Sequence, residues 1–236
     1  HNGRSTETFR NEGHFDLIQK QLRPGDFVVI QFGHNDQKHP HLQAYNGYPE
    51  NLRRFIAEIR AKKALPILAT PIARNVWTEQ NGKLTYNDLL HDHAQACIAL
   101  GKELNVPVLD LHQAAMDEII RLGRDASKIY YHQGDWTHTN DYGAVRAAGY
   151  AADELRSLGE AFPDYLPLIQ TVSASSEPWK PEAALLLEKP ARLAGVKDPN
   201  GTEEETAAQD HQAEKDGGQH AKRCQNTKER RQHDPH

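Results

Sequence analysis

Three short blocks of this sequence hold residue types that can carry out acyl transfer. They are Asn2-Gly3-Arg4-Ser5-Thr6, Gly33-His34-Asn35-Asp36 and Asp135-Trp136-Thr137-His138. An Asp and a His three residues apart on one turn can share a hydrogen bond. The Asp then holds the ring tautomer while the His acts as general base. An Asn at the end of a strand can point its side-chain N–H at a developing oxyanion. A Gly in a tight loop can offer its backbone N–H, because no Cβ blocks close approach. Each block also has a plainer meaning. Gly-His-Asn-Asp is built of turn-forming types. Asp-x-x-His suits a solvated loop before a helix, and Asn-Gly-Arg-Ser suits a loose terminus. Order and context favour the chemical meaning: a loop Gly, a strand-end Asn, then Asp-x-x-His ahead of the last strong helix.

The elements that must position these blocks alternate in type. Asp26 to Phe32 is a short β-branched run after Pro24-Gly25, the pattern of a strand buried on both faces. Leu65 to Thr70, ending at Pro71, and Val106 to Leu111 read as two more strands. Between them the period becomes helical. Tyr48 to Lys63 places Leu52, Phe55, Ile56 and Ile59 on one face. Tyr86 to Leu104 does the same with Leu89, Leu90, His93, Cys97 and Leu100. Further helices are predicted over His14 to Leu22, over Gln113 to Leu122 before Gly123, and from the N-cap Asn140 to about Ser157. Strand–helix alternation predicts an α/β fold, a parallel sheet with helices on both faces. Ligands in such sheets bind at the carboxyl ends of the strands, where Gly33 to Asp36 falls.

Composition narrows the function classes. With 236 residues the chain can bury a sizeable core. Its formal net charge of -5 argues against a nucleic-acid surface. No apolar run approaches the roughly 20 residues that span a bilayer. Two cysteines, Cys97 and Cys224, are too few for a disulfide framework, and both are expected to be free thiols. Residues 1–158 form the expected catalytic-type domain, and 159–197 an extension of uncertain structure. Residues 198–236 contain no Val, Ile, Leu, Met, Phe, Trp or Tyr and are expected to be a disordered polar tail.

Taken together, the blocks resemble those of the SGNH/GDSL hydrolases, in the branch of the rhamnogalacturonan acetylesterases. The resemblance rests on Gly3-Arg4-Ser5, Phe32-Gly33-His34-Asn35-Asp36, Thr70-Pro71-Ile72-Ala73-Arg74 and Asp135-Trp136-Thr137-His138. Pro24-Gly25-Asp26 and Gly143-Ala144 also agree, and the match covers about residues 1 to 158. It implies a three-layer α/β/α, flavodoxin-like fold with no cofactor, acting on an acetylated polysaccharide or oligosaccharide outside the cytoplasm. It assigns His138 as base, Asp135 as its orienting partner, and Asn35 and Gly3 as oxyanion donors. It also implies a nucleophilic Ser in a Gly-Asp-Ser block, which this sequence does not contain, and two leading strands before Gly3. The chain is therefore expected to be N-terminally incomplete. Ser5, Ser127, Ser173, Ser175 and Ser176 lack the setting of an activated hydroxyl.

Other features carry weaker signals. Fourteen histidines invite a metal site, but His34, His39, His41, His91 and His93 lack the spacing of a ligand set, so no metal is expected. Trp136, inside the third block, is a candidate for stacking on sugar. Tyr45, Tyr48 and Trp77 could line a cleft or simply cover the sheet. Arg74 is either a contact for an acidic sugar or a surface ion-pair residue. Two functions follow: a carbohydrate esterase that is inactive as the fragment given, or a non-catalytic glycan-binding or remnant domain. A Gly-Asp-Ser block upstream of His1 would separate them.

Overall fold

In the computed structural model, which describes residues 2–175, the three expected runs form one parallel sheet. The strands are β1 (Phe27–Gln31), β2 (Leu65–Ala69) and the short β5 (Val108–Leu109), in the order β1-β2-β5. Val29 lies opposite Ile67, and Leu68 opposite Val108. Side chains of β2 alternate between two cores. Leu68 joins Ile30 on one face, while Ile67 and Ala69 enter the other. A strand covered on both faces must be apolar throughout, and Leu65-Pro66-Ile67-Leu68-Ala69 is. Pro66 costs no ladder bond to β5, because β5 pairs only with Leu68 and Ala69.

Helices cover both faces and give the three-layer α/β/α fold. On the first face lie α1 (Thr6–Asn11), α2 (His14–Gln21), α3 (Gly47–Ala61) and α4 (His91–Leu104). Leu52, Phe55, Ile56 and Ile59 of α3 are all buried there, as their i, i+3, i+4, i+7 spacing requires. Cys97 of α4 is a free thiol in the same core, where burial pushes it up to about 12. On the second face lie α5 (Leu111–Leu122), α6 (Asp141–Ser157) and α7 (Leu166–Ser175). Residues beyond Gly159 join this layer: Tyr165 and Ile169 are buried in its core, and the Tyr165 hydroxyl donates to the Pro66 carbonyl at 2.7 Å. The expected polar tail and Cys224 lie outside the described residues.

Two elements depart from expectation. Tyr86 does not begin a helix. It ends a hairpin formed by β3 (Trp77–Gln80) and β4 (Lys83–Tyr86), and α4 starts only at His91. The turn is Asn81-Gly82, both at positive φ, which is the two-residue connection whose twist matches the flanking strands. Among the described residues two more strands thus stand beside the three parallel ones, in a separate sheet. The second departure is α1, which turns Ser5 and Thr6 from an extended terminus into a capped helix start. The Ser5 side chain accepts from the Thr8 amide and the Thr8 hydroxyl from the Ser5 amide, a reciprocal cap.

Candidate active site

His138 and Asp135 sit in the loop between a short 3₁₀ turn, Ala126–Tyr130, and α6. Nδ1 of His138 lies 2.7 Å from Asp135 Oδ2. The other carboxylate oxygen accepts the backbone amides of Thr137 at 2.6 Å and His138 at 3.0 Å. Burial alone would push the Asp135 carboxyl up. The two amides and the imidazole outweigh it and hold the group below its ordinary range. The His138 side chain is 48% exposed, and its Nε2 meets no hydrogen-bond partner among the described residues. The ring is therefore held at one nitrogen and open at the other, which is what a general base needs.

The base of this loop is clamped. Tyr131 and Thr139 form a bridge. Asn140 caps α6 and also donates to the carbonyls of Ile129 and Tyr131, each at 2.9 Å. Gly143 allows the close approach: a Cβ there would fall 2.0 Å from the Tyr130 carbonyl oxygen. Beneath, Glu118 of α5 accepts from Tyr130, Tyr150 and Arg146 and ties the 3₁₀ turn and α6 to one helix.

At the end of β1, Gly33 adopts φ 134° and lies buried against Pro71. Asp36 is fully buried. It accepts the Thr6 amide at 3.0 Å, the Thr6 hydroxyl at 2.5 Å and the Gly33 amide at 3.2 Å. Asp36 is thus a structural post, and burial raises its carboxyl above the ordinary range. Asn35, beside it, stays half-buried with its amide donating to the Arg4 carbonyl at 3.4 Å. Gly3, Arg4, Phe32, Gly33, His34 and Asn35 line a cleft of about 260 Å³. The first two blocks therefore meet, although about thirty residues separate them.

The third block reaches the second through the segment after β2. Arg74 donates to the His34 carbonyl at 3.1 Å, and the Asn75 amide donates to the Trp136 carbonyl at 2.8 Å. Arg74 is only 3% exposed, which corrects the surface ion pair and leaves almost no surface to contact a sugar. The two roles the sequence left open for Arg74 both placed it at the surface or in a cleft, because burial of a charge depends on tertiary partners that no local stretch contains. Trp136 is half-buried. Tyr45 is 75% exposed, Tyr48 is buried in α3 and donates to the Phe32 carbonyl, and Trp77 packs edge-on to Tyr86 in the hairpin.

Three serines have local duties, while Ser173 of α7 is exposed. Ser5 caps α1, Ser127 donates to the Gly123 and Arg124 carbonyls, and Ser157 donates to the Glu154 carbonyl. Among the described residues no group of three or more His, Cys, Asp or Glu side chains could hold a metal. No described helix is long and apolar enough to cross a membrane.

The chain is similar to several known proteins. The model of the GDSL-like lipase/acylhydrolase family matches residues 1–146. The chain is 33% identical to the rhamnogalacturonan acetylesterase RhgT of Bacillus subtilis, over 70% of this chain and 75% of that one. It is 31% identical to the probable rhamnogalacturonan acetylesterase YesY of the same organism, over 72% and 77%. Among solved structures, the B. subtilis protein YxiM superposes with a TM-score of 0.57 at 30% identity. That match covers 66% of this chain and 44% of YxiM, so the chain spans less than half of that relative's length.

Proposed function

The chain belongs to the GDSL-like lipase/acylhydrolase family, whose members are carboxylic ester hydrolases, and we propose that it is the acid–base and oxyanion portion of a carbohydrate O-acetylesterase. The observation that carries this is the Asp135–His138 pair, held at Nδ1 and open at Nε2, on a loop tied to that of Asn35. In the reaction, Nε2 of His138 takes the proton of an attacking hydroxyl, and the ester carbonyl carbon becomes tetrahedral. The Asn35 amide and the Gly3 backbone N–H stabilise the charge that forms on the carbonyl oxygen. His138 then returns its proton to the departing sugar oxygen, and water releases acetate by the same route in reverse. The attacking hydroxyl is not identified among the described residues. Acetylated pectic polysaccharide is the proposed substrate, in line with the names of RhgT and YesY. Trp136, half-buried beside the pair, is the proposed sugar-stacking residue.

The test compares aryl acetate hydrolysis by this chain and by a version extended to carry a Gly-Asp-Ser block, each with and without His138→Ala. The chain as given is expected to match its His138→Ala variant. The extended one should lose roughly 10³-fold or more on the same change. Failure of His138→Ala to slow an active extended enzyme would overturn the assignment. Hydrolysis by the short chain that a serine-directed covalent inhibitor blocks would show that the nucleophile lies within it.

A further inference from the structure

The five residues Pro71–Asn75 have no regular secondary structure, yet all but Ile72 are buried. Buried irregular backbone must find its hydrogen bonds outside helix and sheet ladders. Here four successive carbonyls lie against four side chains from four different parts of the chain. The Pro71 carbonyl lies 3.2 Å from Nδ1 of His112, at the start of α5. The Ile72 carbonyl lies 3.0 Å from Nε2 of His34, in the loop after β1. The Ala73 carbonyl accepts the Tyr131 hydroxyl at 3.1 Å, and the Arg74 carbonyl accepts the Tyr86 hydroxyl at 2.9 Å. The segment also gives bonds outward. Arg74 donates to the His34 carbonyl, the Asn75 amide to the Trp136 carbonyl, and the Asn75 side chain to the Arg124 carbonyl at 3.2 Å.

His34 is gripped twice, at its ring and at its carbonyl, one residue before Asn35. Tyr131 stands at the base of the Asp135–His138 loop and Trp136 lies within it, and each bonds to the segment. The ring of Pro71 also fills the space a Cβ on Gly33 would need, 2.9 Å from its Cγ. One strip thus touches both halves of the site and is itself anchored to α5 by His112 and to the hairpin by Tyr86.

We infer that Pro71–Asn75 is a hub that fixes the Asn35 loop relative to the Asp135–His138 loop, with Arg74 as its principal positioning residue. The guanidinium does not touch substrate. It locks the His34 carbonyl to a backbone whose next amide holds Trp136, so loosening one loop loosens the other. The catalytic meaning of the hub rests on the function proposed above, but the coupling itself does not.

Residue-resolved amide hydrogen exchange tests the coupling without any turnover. In Arg74→Met, the amides of Gly33 and Gln37 should exchange about tenfold faster, through local opening. The amides of Asn75, Thr137 and His138 should do so as well, while Ile67 and Leu68 in β2 stay protected. A purely global loss of stability would speed all of them together. Arg74→Lys keeps a donor and should recover part of the protection in both loops. If only the β1 loop responds to Arg74→Met, the two loops are independent and the inference fails. Should Arg74→Met not fold, His34→Leu breaks the bond at Ile72 from the other side and must give the same paired response. An inactive extended enzyme with intact coupling would count against the proposed function and leave the hub standing.

Discussion

At the scale of single residues, Asp135 decides which face of His138 is available. Its carboxylate accepts at Nδ1, so Nδ1 carries the proton and Nε2 offers the lone pair. Asp135→Asn replaces that acceptor with an amide whose N–H₂ can face the ring instead. The proton is then expected on Nε2, readable from the ¹⁵N shifts of the imidazole. In an active enzyme the wrong tautomer should cost about 10⁴ in kcat. Acid should have a related effect. Because the Asp135 carboxyl is held below its ordinary range, its contribution to the fold is present above that range and lost as pH falls through the lowered value. The loop amides of Thr137 and His138 should therefore lose protection in acid before the β2 core does. A loop that stays ordered down to the point of global unfolding would show that Asp135 does not hold it.

At the scale of elements, a buried carboxylate joins α5, the 3₁₀ turn and α6. Glu118 is 7% exposed and receives two tyrosine hydroxyls and the Arg146 guanidinium, which also lies over the Tyr150 ring. Burial opposes its charge, but the Arg146, Tyr130 and Tyr150 bonds prevail and lower its pKa. Glu118→Gln removes the charge that balances Arg146 and offers one acceptor oxygen where two are used. The expected loss is about 3 kcal/mol of stability by thermal or denaturant unfolding. The sign with pH is fixed: a lowered carboxyl stabilises above its unfolded value, and the benefit disappears as pH drops through the folded one. Wild type and Glu118→Gln should therefore converge in stability in acid. A variant as stable as wild type at neutral pH would show that the network contributes little.

Among the described residues of the whole molecule, β1 pairs only with β2. Its sequence is that of a central strand, and Val29 stands 55% exposed. An edge without Pro, bulge or charge invites another strand. The chain is expected to associate at high concentration, by size-exclusion chromatography, and Val29→Lys should shift it toward the monomer, since a charge on an edge strand opposes pairing. An elution position that Val29→Lys leaves unchanged would mean the β1 edge takes no part in association.

Local pattern was enough for the three parallel strands, the face of α3, the capped start of α6, and the three chemical blocks. Apolar runs, helical periodicity and caps are written in neighbouring residues, and Asp135 reaches His138 within a single turn. The hairpin was also legible, in Asn81-Gly82, but the apolar spacing of the following helix obscured it. The roles of Arg74, Asp36 and Thr6 were not legible. A buried guanidinium and a surface one have the same sequence, and they differ only in which distant carbonyls surround them. The meeting of Gly3 with Asn35, and the hub that ties His34 to Trp136, depend on loops that the sheet order brings to one end. Contacts over such separations are set by packing of the whole chain, and no local window contains them.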